Sequence, residues 1–86
     1  MYYTPENIGE LIKKVRKSKG VTQTDLATAS GTGLRFIVDL EKGKPTCELG
    51  KTLSVLQTCG IKMSLEPPAI DETPKRPTSR FLKRPQ

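Results

Sequence analysis

The chain has 86 residues, a net charge of +6, no histidine and two cysteines. That length holds one compact domain and leaves no room for a second, and so small a core makes a partner subunit a natural source of stability. A zinc site or a histidine-based catalytic constellation is hard to assemble from these residue types, so the reading is a non-enzyme with no metal and no cofactor; the positive balance favours a polyanionic partner.

Thr4-Pro5 opens the first predicted helix, with Thr4 as N-cap, Pro5 at the first helical position, and Tyr3 and Ile8 spaced for a hydrophobic staple. Ile8, Leu11, Ile12 and Val15 repeat at i, i+3, i+4, i+7 and define its apolar face. Lys13, Lys14, Arg16, Lys17 and Lys19 precede Gly20, where they either compensate the helix dipole in solvent or meet phosphate. Thr22 to Asp25 has the form of a capping box and starts a second helix reaching about Ala29, broken by Gly31. A third helix spans Leu34 to Lys42 with Phe36, Ile37 and Leu40 on one side, stopped by Gly43 and Pro45.

Thr46 is the expected cap of a fourth helix with Leu49, Leu53, Leu56 and Cys59 on its buried stripe and Gly60 as its end. Cys47 then falls in its first turn, where the helix terminus lowers a thiol pKa, although a packed or merely exposed thiol is the simpler reading. Twelve residues of helix put Cys47 and Cys59 roughly 18 Å apart, beyond disulfide reach, and reduced thiols fit the cytosol.

Ile61-Lys62-Met63-Ser64-Leu65-Glu66 alternates as a half-buried strand does, and nothing else in the chain reads as a strand. A lone strand leaves its ladder groups unpaired, which points to the same segment of a second copy, antiparallel about a two-fold axis. Centring that ribbon on Ser64 sets Lys62 against Glu66 of the mate. Residues 1–66 are thus one folding and dimerisation unit, and 67–86 a Pro-rich basic tail with five prolines. Its apolar island, Phe81-Leu82 beside Arg80, is either a partner-docking motif or an accident of composition, while the tail's cations alternatively follow DNA phosphates. No apolar run approaches the ~20 residues of a membrane span, and the start has no signal-peptide pattern, so no membrane association is expected. The expected location is the cytoplasm, on the nucleoid through DNA.

The spacing Gln23-x3-Ala27-x3-Gly31-x5-Ile37-x2-Leu40 sets two short helices around a glycine turn. Ala27 is small so that the next helix passes close over it, Gly31 supplies a left-handed turn, and Ile37 and Leu40 pack back on the first two helices. Through Val21 to Ala27, Ser30-Gly31 and Phe36 to Pro45 the chain resembles the Cro/lambda-repressor-like (XRE) helix-turn-helix family over about residues 8–60. Within that family it is similar to HipB-type antitoxins through Gly43 to Thr46, Leu49 to Gln57 and the Ile61–Glu66 strand. The resemblance implies an all-α, lambda-repressor-like domain of four to five helices with one C-terminal strand shared across a homodimer.

It further implies that Gly33, Leu34, Arg35 and Asp39 meet base edges in the major groove. Arg35 suits guanine O6/N7, Leu34 a thymine methyl, and Asp39 either accepts from cytosine N4 or restrains Arg35 at i, i+4. Thr22, Gln23, Lys44 and Thr46 match the family's phosphate contacts, together with free N–H groups opening the second and fourth helices. Gly33 and Leu34 depart from the polar residues usual there, which shifts part of the readout to DNA shape. Arg16 and Glu41 occupy positions of a structural ion pair in relatives. The implied function is an autorepressing antitoxin on an inverted-repeat operator in double-stranded DNA, partnered by a HipA-like kinase toxin. The alternatives are a stand-alone phage-type repressor and a protein-interaction adaptor that has lost DNA binding, to which Leu34 and Val38 lend some support.

Overall fold

In the computed structural model, residues 3–70 are described. They form α1 (Pro5–Ser18), α2 (Gln23–Ser30), α3 (Leu34–Glu41) and α4 (Leu49–Cys59). The Arg80-Phe81-Leu82 island, with the rest of 71–86, lies outside the described residues.

Local chemistry fixes the helix ends. The Thr4 hydroxyl accepts from the Asn7 N–H at 3.0 Å, and the Asn7 side chain accepts in return from the Thr4 N–H. The same reciprocal box opens α2, where Thr22 Oγ1 accepts from the Asp25 N–H and the Asp25 carboxylate from the Thr22 N–H. Each box satisfies donors that a helix start otherwise leaves bare. Gly31 closes α2 at φ +71°, a left-handed conformation that side-chain-bearing residues rarely adopt.

The four helices enclose one core of Ile12, Leu26, Ala27, Ile37, Leu40, Val55, Leu56 and Cys59. Ile12, Ile37 and Val55 are fully buried, each stabilising by about 1.5–3 kcal/mol. α2 packs on α3 and α4, and α1 packs on the same two helices from the other side. The two backbones come close at Gly9: a Cβ there would clash with the Leu40 carbonyl oxygen and lie 2.9 Å from that of Glu41. Helix α1 therefore meets the end of α3 backbone to backbone.

Several expectations need correction. The fourth helix begins at Leu49 with Glu48 as its N-cap, not at Thr46. Pro45 and Thr46 form a turn, and the Thr52 amide and hydroxyl both bond the Glu48 carbonyl, at 3.0 and 2.8 Å, marking the true first turn. Leu49 and Leu53 are 68% and 44% exposed rather than buried, because the inward face is Thr52, Val55, Leu56 and Cys59. Thr52 is admissible there since its hydroxyl is satisfied within the helix. Leu11 of α1 is likewise 42% exposed, beside fully buried Ile12. No strand forms among the described residues: Ile61 packs half-buried against the core, while 62–66 run exposed along the surface.

Candidate nucleic-acid interface

Helix α3 is held from behind and bare in front. Behind, Glu41 accepts from Arg16 Nε at 2.6 Å, Arg16 Nη2 at 3.1 Å and Gln23 Nε2 at 3.1 Å. Arg16 Nη1 donates to the Val21 carbonyl at 2.8 Å. Both charged groups are buried, and the Glu41 hydrogen bond holds the Arg16 guanidinium above its ordinary pKa against the opposing effect of burial. One carboxylate thus ties α1, α2 and α3 together, and the bidentate geometry fixes the rotation of α3 about its axis.

The glycine turn is locked from a second direction. Ser30 Oγ donates to the Leu26 carbonyl and lies 2.9 Å from Thr32 Oγ1, and Ser54 Oγ of α4 donates to the Ser30 carbonyl at 2.8 Å. The N-terminus of α3 is left open, since its N-cap, Gly33, offers no side-chain acceptor. Glu48, the N-cap of α4, makes no side-chain cap either. Both helix starts present unclaimed backbone donors and the positive end of the helix dipole.

The front of α3 carries the exposed residues Gly33, Leu34 and Arg35, with half-buried Val38 and Asp39. The Arg35 side chain is 89% exposed, and its Nε lies 3.4 Å from Asp39 Oδ1. Lys44 Nζ, from the loop after α3, lies 3.5 Å from Asp39 Oδ2. Of the side chains expected at phosphate, Thr22 and Gln23 sit at the start of α2, where the Thr22 hydroxyl accepts in its cap and keeps its own O–H to donate, while the Gln23 amide donates to Glu41. Thr46 and Lys44 share the α3–α4 loop, both exposed. The structure therefore brings the loop leading into α4 to the front of α3 through Lys44 and Asp39, ties the start of α2 to Glu41 behind it, and lets Ile61–Glu66 leave from the far end of α4.

Cys47 lies two residues before α4 and not in its first turn; burial foremost, then the Asp39 carboxylate, pushes its thiol up in spite of Lys44. Burial does the same to Cys59. Both are free thiols.

A helix-turn-helix family profile matches residues 12–56. An uncharacterized HTH-type transcriptional regulator of Sinorhizobium fredii, y4mF, is 52% identical over 65 residues, covering 76% of this chain and 86% of that protein. The chain belongs to the helix-turn-helix family. It is a transcriptional regulator of the XRE type, a family of DNA-binding proteins rather than an enzyme class. Its structural neighbours are HipB: it superposes on a chain of the HipA-HipB-O2-O3 complex with a TM-score of 0.69 at 26% identity, covering 85% of this chain and 97% of that one. With the HipB-O4 20mer complex the TM-score is 0.68 at 26% identity, over the same shares of both chains.

Two residues of this helix-turn-helix escape a pattern-based reading. Gly9 sits inside a helix where alanine is favoured by about 1 kcal/mol, and that local misfit was the available sign of a close backbone approach. Lys51 stands in the first turn of α4, where the dipole disfavours a cation, with its Nζ 5.8 Å from the centre of the Phe36 ring. Lys51 Nζ also lies 3.7 Å from Glu48 Oε2, so the cation is paired beside the opening of α4.

Proposed function

We propose that this regulator is a homodimeric repressor of its own operon that inserts α3 into the major groove of an inverted-repeat operator, and that it is the antitoxin of a HipA-like kinase toxin. The observation that carries the DNA reading is the contrast between the two sides of α3: buried Glu41 locks one side, while Gly33, Leu34 and the 89%-exposed Arg35 occupy the other. A helix fixed in rotation and bare on its outer face is pre-organised for docking at little entropic cost. Arg35 supplies a fork for guanine, Leu34 an apolar contact for a thymine methyl, and the open starts of α3 and α4, with Lys44, Lys51 and Thr46, supply phosphate contacts. Thr22 and Gln23 act there through the start of α2, Gln23 chiefly by holding Glu41.

Support for the dimer comes from the side remote from α3. A groove lined by Tyr3, Ile8, Leu11, Leu56, Ile61 and Met63 runs beside the unpaired 61–66 segment. A second copy placed on it pairs Ile61–Glu66 with its twin and covers Leu11 and Met63, each 42% exposed. Support for the toxin comes from the HipB likeness, one member of which stands in a complex with HipA.

The test is a gel shift on the DNA upstream of the gene, with light scattering for mass and affinity capture of the neighbouring gene products. The proposal expects a dimer that shifts the upstream fragment and co-purifies a kinase-fold protein. Replacing Arg35 with Ala costs about 1–3 kcal/mol and relaxes preference at one base pair. Capture without any shift at low salt favours the adaptor reading, which half-buried Val38 and 48%-exposed Leu34 on the outer face of α3 support.

A further inference from the structure

Asp39 is the one acidic side chain on the outer face of α3, and it is placed between two cations. Its Oδ1 faces Arg35 Nε at 3.4 Å and its Oδ2 faces Lys44 Nζ at 3.5 Å, one oxygen to each. A carboxylate beside phosphates lowers affinity for every DNA sequence alike, so its presence there calls for a compensating use. The geometry offers one. The pair to Arg35 engages Nε and leaves the terminal Nη1/Nη2 fork to solvent, the pair of donors that matches guanine O6 and N7.

We propose that Asp39 is a selectivity residue: it holds Arg35 back from indiscriminate phosphate binding and presents the Arg35 fork to a base. The inference rests on the DNA reading above. On non-cognate DNA, Arg35 gains a phosphate only by leaving Asp39; on a site with guanine in register, it bonds the base while Nε keeps its partner. Asp39 thus weakens non-cognate binding more than cognate binding, and selectivity is the difference.

The test uses two duplexes of equal composition, one selected by the wild-type protein from a random library and one scrambled, with fluorescence anisotropy between 50 and 200 mM salt. Asp39→Asn and Asp39→Ser remove the charge. Glu10→Gln, exposed on α1, makes the same change in net charge away from this face. If Arg35 is released to a phosphate, the salt slope on scrambled DNA steepens by about 0.9, a widening of about 3.5-fold across that salt range. The ratio of selected to scrambled affinity then falls in both Asp39 variants, by about 3.5-fold more at 50 mM than at 200 mM salt, and stays put in Glu10→Gln. An unchanged ratio in the Asp39 variants, or one that Glu10→Gln reproduces, overturns the inference while leaving DNA binding intact. A wild-type protein from which no preferred duplex can be selected overturns the DNA reading itself.

Discussion

Replacing Glu41 with Ala is the sharpest perturbation of the scaffold. It removes three hydrogen bonds at once, two from Arg16 and one from Gln23, and leaves a guanidinium whose side chain is only 10% exposed holding one remaining bond to the Val21 carbonyl. Breaking a buried pair from one side costs about 3–5 kcal/mol, because the stranded charge keeps its desolvation penalty. Domains of this size have total stabilities of about 5–15 kcal/mol, and each kcal/mol moves the midpoint by roughly 4–8 °C, so the melting temperature falls by more than about 10 °C. Urea unfolding followed by circular dichroism measures it. The double replacement Arg16→Met with Glu41→Leu recovers most of the loss, since apolar residues of similar volume need no pairing. A loss below about 1 kcal/mol for Glu41→Ala would show that water reaches the pair and that α3 is not held by it.

Gly9→Ala reverses the usual helix preference: in place of a gain of about 1 kcal/mol it destabilises by about 1–3 kcal/mol, as the added methyl meets the Leu40 and Glu41 carbonyls, and a rise in melting temperature would contradict the packing described. Burial raises the folded-state pKa of Cys59 above the unfolded value near 9.0, so its contribution is fully present below that value and lost as pH rises through the raised one. Stability therefore drops as pH rises above about 9.0 by more in the wild type than in Cys59→Ala, and parallel pH profiles would refute the assignment. Lys62→Glu weakens the dimer by setting like charges opposite each other twice across the ribbon, and adding Glu66→Lys restores it; sedimentation showing no rescue would remove that register.

The starts of α1 and α2 and the glycine turn were legible because each is set by chemistry local in sequence: Thr4 and Thr22 cap as their spacing requires, and Gly31 adopts the left-handed turn. The rotation of α4 was not legible. Leu49 and Leu53 outweigh Thr52 on any hydrophobicity scale, yet Thr52 faces inward because its hydroxyl is consumed by the Glu48 carbonyl, a fact of backbone position that hydropathy does not carry. The start of α4 failed for a related reason, since Thr46 has the right side chain for a cap but follows Pro45 into a turn. Within the interface, the residue types on α3 were readable from their positions after the turn. That Gln23 is spent on Glu41, and that Asp39 reaches Lys44 as well as Arg35, depended on how α2 and the α3–α4 loop sit against α3. Those contacts arise from the tertiary arrangement alone.

Hydroxyl-radical footprinting of the purified protein on its upstream DNA bears most directly on the central claim that two copies of α3 read one duplex together. Two protected patches on one face of the helix, centred about 34 Å or one turn apart and lost together in Arg35→Ala, are the result the account predicts. A single protected patch from a monomer, or protection that Arg35→Ala leaves unaltered, would contradict it.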